Sequence, residues 1–282
     1  MAATVAVLGL GAMGFPVARH LLAAGIGVTV YDLDGAKTAA AHELGAHVAT
    51  SAAGAADETD AIAVFVPTDR DVLDVCLGRS GVLAGACDGS VLLVCSSVRP
   101  ETCAKVAAAA SPAVDVLDAA LTGGVRGAQA GTVNLLVGGE PEVLDRIRPL
   151  LKPWAKTVHH LGPLGSGQVG KTANNLVHWA QICAITEALE LARRAGVDVS
   201  VLRQALMDGP TDSRTLRELE HMRLTWHVKD LANTAVLASE VGLDIPVAET
   251  ARRVMRDRTA EDVARLLAGG PLSDPTTPPK VR

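Results

Sequence analysis

Lys171 and Asn175 stand four residues apart, so a helix carries them on one face, and His178 falls on nearly the same stripe. An ammonium beside an amide near a helix start suits carbonyl chemistry. The ammonium gives a proton to a developing alkoxide, and the amide holds that group in position. The bland alternative is a solvated lysine on an amphipathic helix, the usual fate of this residue type. The apolar neighbours Ala173, Leu176, Val177 and Trp179 predict instead a helix buried nearly all round, which favours the chemical reading. A lysine working near neutral pH needs its pKa lowered from about 10.4, by burial or by a second cation.

A second chemical unit opens the chain. Thr4–Leu8 is an apolar strand that runs into Gly9-Leu10-Gly11-Ala12-Met13-Gly14, and a helical stretch leads on to the strand Val28–Tyr31, closed by Asp32. In such a G-x-G-x-x-G turn the first glycine permits the tight turn and the second lets the backbone approach a pyrophosphate. The third lets helix and strand pack closely. The free N–H groups and positive end of the helix then face the phosphates. Asp32, eighteen residues after Gly14, is placed to accept from a ribose hydroxyl. Its charge repels a 2′-phosphate, and Tyr31-Asp32-Leu33-Asp34 offers no arginine to grip one. The expected cofactor is therefore NAD, with NADP disfavoured.

These residues need elements to hold them. Helix and strand signals alternate to about residue 160. Ala36–Leu44 reads as a helix closed by Gly45, and Ala46–Ala49 as a short strand. Ala61–Val66, Val91–Cys95, Val114–Asp118 and Val133–Val137 read as buried strands, with Pro67 stopping the first and Pro100 starting a helix after the second. Such alternation predicts an α/β Rossmann-type doubly wound sheet, mostly parallel, with helices on both faces. From Gln168 to about Ala195 there is one long helical run without Pro and with a single Gly, at position 170. Beyond it only helical periodicity appears, at 198–207, 214–224, 228–241 and 246–268. The expected organisation is a nucleotide-binding domain at 1–162 and an interdomain helix at 163–195. An all-helical domain follows at 196–268, then a disordered tail at 269–282.

Bulk properties bound the remaining choices. At 282 residues two domains are the natural expectation, and 49% apolar content makes a large core easy to bury. With three Trp, two Phe and one Tyr, that core must come mainly from Ala, Val and Leu. A net charge of −5 and the lack of a basic run argue against nucleic acid as partner. No apolar run reaches membrane-spanning length and the N-terminus carries no basic leader region, so a cytoplasmic protein without membrane attachment is expected. Five cysteines, none spaced C-x-x-C, read as thiols in a reducing compartment rather than a metal site. His42-Glu43 with His47 is one residue too long for a zinc-protease helix motif, and Gly45 ends the helix between the two imidazoles.

Four segments in this order resemble the β-hydroxyacid dehydrogenases, the family of 3-hydroxyisobutyrate dehydrogenase and tartronate semialdehyde reductase. Gly9–Gly14 is similar to the family's cofactor loop, and Asp118-Ala119-Ala120-Leu121-Thr122-Gly123-Gly124 to its substrate loop. Gly165-Ser166-Gly167 with Lys171 and Asn175 is similar to its catalytic motif, and Lys229-Asp230-Leu231 to its Lys-Asp-Leu segment. The resemblance runs from about residue 4 to 268. It implies that Lys171 is the general acid/base and that Asn175 orients the substrate. It also implies that the amides of Thr122, Gly123 and Gly124 hold a substrate carboxylate. Val66-Pro67 and Ser96-Ser97-Val98 would line the nicotinamide side, and Lys229 would touch cofactor or substrate. A homodimer or homotetramer, formed through the helical domain, is implied as well. His178 is a substrate-side candidate on stripe geometry alone. Taken singly, Thr122–Gly124 is a tight turn after a strand, Lys229-Asp230 a surface ion pair, and Glu187 and Glu190 solvated or capping groups.

The chain also departs from the family pattern. Ala120, Leu121 and Thr122 replace the usual Pro, Val and Ser, and Val98 stands where Thr is common. The segment 213–229 is short and lacks the loop that often brings an aromatic residue over the substrate. The expected partner is a small-molecule substrate, a β-hydroxyacid or its semialdehyde, handled by an NAD-dependent oxidoreductase. Two alternatives compete with that reading. One is an imine reductase of the same architecture, in which Asp or Tyr commonly replaces the lysine. The other is a dinucleotide-binding regulatory protein without turnover.

Overall fold

The computed structural model describes residues 3–273. The chain divides into two compact units, one running to Lys171 and the other starting at Thr172.

In the first unit β1 (Thr4–Leu8) leads through α1 (Gly14–Ala23) to β2 (Gly27–Tyr31), α2 (Gly35–Glu43) and β3 (His47–Val48). A short α3 (Ala52–Ala56) precedes β4 (Ala61–Val64), α4 (Asp69–Leu77), β5 (Val91–Val94) and α5 (Pro100–Ala109). The last strands are β6 (Asp115–Thr122), β7 (Val133–Gly138) and β8 (Ala155–Gly162), separated by α6 (Gly124–Ala130) and α7 (Pro141–Leu151). The sheet order is β3-β2-β1-β4-β5-β6-β7-β8. The first six strands are parallel; β7 is antiparallel to β6, and β8 follows β7. The expected doubly wound sheet is thus present, and the chain reverses its winding between β1 and β4.

The central strands β4 and β5 are apolar at every position because both faces are covered. Every residue of β4 and β5 is buried. Successive side chains then enter different cores: Val5 and Val7 join a cluster with Val30, Leu93 and Leu135, whereas Ala6 and Leu8 join Ile62, Leu92 and Val94. Local signals set the helix limits. Thr68 and Asp71 form a capping box at the start of α4, and Pro100 and Pro141 open α5 and α7. Gly45, at φ +100°, follows the end of α2, so His42 lies on a helix and His47 on a strand, as their spacing predicts.

The strand expected to end at Asp118 continues to Thr122. Val94 pairs with Asp118, so β6 runs four residues beyond the end of β5, about 13 Å at 3.3 Å per residue. The antiparallel partner β7 makes this possible, supplying ladder bonds from Asn134 to Gly138.

A 29-residue helix, α8 (Ser166–Arg194), begins in the first unit and continues through the second. The second unit adds α9 (Val199–Met207), α10 (Arg214–Arg217), α11 (His227–Glu240), α12 (Pro246–Met255) and α13 (Ala260–Leu267). Its own core gathers Trp179, Ile182, Leu189, Leu219, Leu231, Met255 and Leu266. Three expectations need correction here. The helix expected at 214–224 stops at Arg217, and the chain passes through a single tighter turn at Leu219–His221. The continuous helix expected at 246–268 breaks at 256–259, because Thr259 and Asp262 form a capping box that starts a new helix. In addition, α8 is not buried all round. Val169, Ala173 and Val177 form an exposed stripe at four-residue spacing, continued by Ala184 and Leu191. Apolar composition in a helix does not by itself say which face the same chain covers. Of the tail expected at 269–282, residues 274–282 lie outside the described residues. Leu272 and Ser273 hydrogen-bond to Glu190 and Asp262.

Candidate active site

The strand ends bring the first candidates together. Gly9 follows β1 with φ +89°, and a Cβ there would lie 2.4 Å from the Phe65 carbonyl oxygen. A Cβ on Gly14 would lie 2.0 Å from the Gly9 carbonyl oxygen, so the start of α1 closes directly onto the turn. Gly11 is different, with open space where its Cβ would stand. That bare backbone at the mouth of the sheet is what a pyrophosphate needs for close approach. Leu10, Ala12 and Met13 complete the turn. Asp32 reaches across from the end of β2 and accepts the Leu10 N–H at 2.6 Å and the Asp34 N–H at 2.9 Å. Its carboxylate is therefore held beside the glycine loop, where a ribose would lie. The residues present fit a dinucleotide. Lys37 was not singled out from sequence. It stands 3.8 Å from Asp32 and 3.4 Å from Asp34, where its charge is neutralised by the two acids.

The neighbouring strand ends supply the second group. Val66 and Pro67 follow β4, and Ser96, Ser97 and Val98 follow β5; the two strands run level, Val64 beside Val94. The Val66 N–H donates to Ser96 Oγ at 2.8 Å, which ties the two segments. Asp118 on β6 is fully buried and accepts the N–H groups of Gly165 and Gln168 at 2.6 and 2.7 Å. Burial pushes its carboxyl above the usual range, and these backbone donors pull the other way. Gln168, also buried, joins the start of α8 to the segment after β5. Lys171, half-buried, follows one turn later on α8. Further along β6, Thr122 accepts a long 3.5 Å bond from Asn134, and the glycine pair turns the chain into α6. Gly123 at φ +105° and Gly124 at φ +63° both need the left-handed region, and space is open beside Gly124.

Within the second unit Asn175 is buried and accepts from the Asn174 side chain at 3.2 Å. The His178 ring meets the Thr215 hydroxyl at 3.0 Å and lies against Trp179. Lys229 is half-buried in the first turn of α11. Its neighbour Asp230 accepts the Trp179 indole N–H at 3.1 Å, and Leu231 enters the core. Glu190 is a structural group. It holds Arg193 and Arg194 at 2.8 and 2.7 Å, and the hydrogen bond from Arg193 lowers its pKa to about 2. Among the described residues no cluster of His, Cys, Asp and Glu could hold a metal ion, and all five cysteines are free thiols. No described helix is long and apolar enough to cross a membrane.

Sequence reasoning passed over Gln168 and treated Ser96 and Asp118 only as parts of motifs. A buried glutamine leaves no periodic signal, and its partners lie about 70 residues away along the chain.

Comparison with known proteins agrees with this arrangement. Residues 4–162 match the family model for the NAD binding domain of 6-phosphogluconate dehydrogenase. Residues 165–266 match the model described as NAD-binding of NADP-dependent 3-hydroxyisobutyrate dehydrogenase. The chain is 38% identical over 203 residues to a 3-hydroxyisobutyrate dehydrogenase of Pseudomonas aeruginosa, a match spanning 72% of this chain and 68% of the relative. It is 35% identical, over the same shares, to an NAD-dependent L-serine dehydrogenase of that organism. Among solved structures it is similar to a Mycobacterium tuberculosis 3-hydroxyisobutyrate dehydrogenase determined with L-serine. That likeness has a TM-score of 0.85 and 28% identity, covering 95% of this chain and 99% of the other. The chain belongs to the β-hydroxyacid dehydrogenase family, and is an NAD-dependent oxidoreductase acting on CH–OH groups.

Proposed function

We propose that this enzyme interconverts a small β-hydroxyacid and its semialdehyde, with Lys171 as the proton-transfer group. NAD, when bound, supplies or receives the hydride. Lys171 protonates the carbonyl oxygen in the reductive direction and removes the hydroxyl proton in the oxidative one. Asn175 orients the substrate, and the backbone amides of Thr122, Gly123 and Gly124 receive its carboxylate. Lys229 and His178 complete the substrate side. The observation that carries this reading is the position of Lys171 on α8. It lies one turn after Gln168, whose side chain bonds to the segment following β5. A lysine so placed stands near the sheet edge that carries the glycine loop.

On this reading residues 1–162 bind the cofactor, and 196–268 serve substrate and assembly. The exposed apolar stripe along α8, from Val169 through Val177 to Leu191, supports a homodimer or homotetramer. Five free thiols support a reducing, cytoplasmic setting.

The test is a screen of NADH oxidation and NAD reduction with 3-hydroxyisobutyrate, L-serine and tartronate semialdehyde, run beside Lys171→Ala. Lys171→Ala is expected to lower kcat by two orders of magnitude or more. The NADH dissociation constant should stay within about threefold, since phosphate binding rests on the glycine loop. Turnover that survives the substitution would remove Lys171 as the acid/base. Tight NADH binding with no turnover on any compound would favour a regulatory protein.

A further inference from the structure

Gln168 lies in the first turn of α8, one turn before Lys171, and is 1% exposed. Both ends of its amide are engaged. Oε1 accepts the Val98 N–H at 3.1 Å, and Nε2 donates to the Ser96 carbonyl at 2.9 Å. Ser96 in turn accepts the Val66 N–H on its hydroxyl at 2.8 Å and donates to the Val64 carbonyl at 3.3 Å. Behind Gln168, the Asp118 carboxylate accepts from its backbone N–H and from that of Gly165. The packing leaves room for no larger arrangement. A Cβ on Gly138 would lie 2.4 Å from one Asp118 oxygen, and a Cβ on Gly167 would lie 2.6 Å from the other.

Burying an amide, a hydroxyl and a carboxylate together is costly unless each is satisfied, and an apolar side chain would fill the same volume without that cost. What a fully bonded polar set adds is a fixed geometry. It fixes three things to one another: the segment after β4, the segment after β5 and the N-terminal turn of α8. The first two carry Val66-Pro67 and Ser97-Val98, and the third carries Lys171. We infer that Gln168, backed by Ser96 and Asp118, is a positioning residue that holds Lys171 in register with the segments lining the nicotinamide side. This rests on the reading of Lys171 as the proton-transfer group. Lys171 is three residues further along the same helix, so a shift of the first turn is passed directly to it. A displacement of about 1 Å is enough to cost on the order of a hundredfold in rate.

Gln168→Met keeps the side-chain volume and removes both hydrogen bonds. Expected are an NADH dissociation constant within threefold by fluorescence titration and a kcat reduced tenfold or more. A larger isotope effect with 4-deuterated NADH should accompany the loss, measured on whichever of the three screened compounds the unmodified enzyme turns over fastest. A kcat within twofold of the unmodified enzyme overturns the inference, as does a loss residing wholly in NADH affinity. If Gln168→Met does not fold, Gln168→Glu decides. It keeps the acceptor for Val98 but faces the Ser96 carbonyl with an oxygen, and only a protonated carboxyl restores that bond. Burial and the adjacent Asp118 charge both favour the protonated form. The ratio of variant to unmodified kcat should therefore rise as pH falls; a flat ratio, as packing alone would give, overturns the inference. Lys171→Ala runs in parallel. Turnover lost in Lys171→Ala but kept in Gln168→Met overturns the positioning role alone. Turnover kept in Lys171→Ala overturns the proton-transfer reading and the inference resting on it.

Discussion

At Gly11 an added methyl group meets nothing within 4 Å, whereas at Gly14 it would sit 2.0 Å from the Gly9 carbonyl oxygen. The two glycines therefore do different work, and alanine separates them. Gly11→Ala should melt within about 2 °C of the unmodified protein yet bind NADH at least tenfold more weakly, because backbone approach to the pyrophosphate is lost. Gly14→Ala should lose stability, by about 1–3 kcal/mol as for other overpacked sites, in urea unfolding. Asp32 supplies a second contrast. Its carboxylate beside the loop opposes a 2′-phosphate, and Lys37 stands next to it. Asp32→Ala should raise the ratio of kcat/KM for NADPH over NADH by tenfold or more, since it removes the repulsion and leaves Lys37 facing one acid, Asp34, instead of two. An unchanged ratio would show that discrimination lies elsewhere. The types and spacing of Gly9, Gly11, Gly14 and Asp32 were legible in sequence because the constraint is local. Lys37 was not, since its relevance depends on where α2 puts it relative to the end of β2.

Among the elements, α8 has the most to position. Its extent was readable from a run free of Pro and, after Gly170, of Gly, and its start from the glycine-rich segment at 162–167. Its exposed stripe was not readable, because Val169, Ala173 and Val177 look like core residues in a linear pattern. The far end of the helix carries a pH-dependent clamp. Glu190 is paired with Arg193 and Arg194 and accepts the Leu272 N–H at 3.4 Å, and its pKa is lowered from 4.5 to about 2. A carboxyl depressed in the folded state contributes stability above its unfolded pKa and loses it as the pH falls through the folded one. Stability should therefore decline between pH 4.5 and about 2. Glu190→Gln should be destabilised at pH 6 and should lose part of that acid dependence, as read from melting temperatures at pH 6 and 3. The break between α12 and α13 teaches the same lesson as the stripe. Thr259 with Asp262 was present as a start signal, but the surrounding helical periodicity outweighed it.

At the scale of the molecule, each unit builds its own core, the first on the two faces of the sheet and the second among helices. On the assembly reading proposed above, a second copy covers the exposed apolar residues of α8. Sedimentation should give a mass that is a multiple of 29.0 kDa, and Val177→Glu should shift it toward the monomer because a charge would be buried in the contact. A monodisperse monomer for the unmodified chain would contradict the assembly reading. By itself the sequence determined the doubly wound sheet, the long helix, the nucleotide loop with the acid that ends the second strand, and the candidate catalytic lysine. All of these are written in local periodicity, in glycine and proline placement, or in short spacings. Tertiary structure alone decided how far β6 extends, which face of α8 stays open, and that Gln168, Ser96 and Asp118 tie the start of α8 to the ends of β4 and β5. The physical reason is range. A buried hydrogen bond between residues some 70 positions apart leaves no pattern along the chain, and exists only once the sheet has brought its strand ends into register.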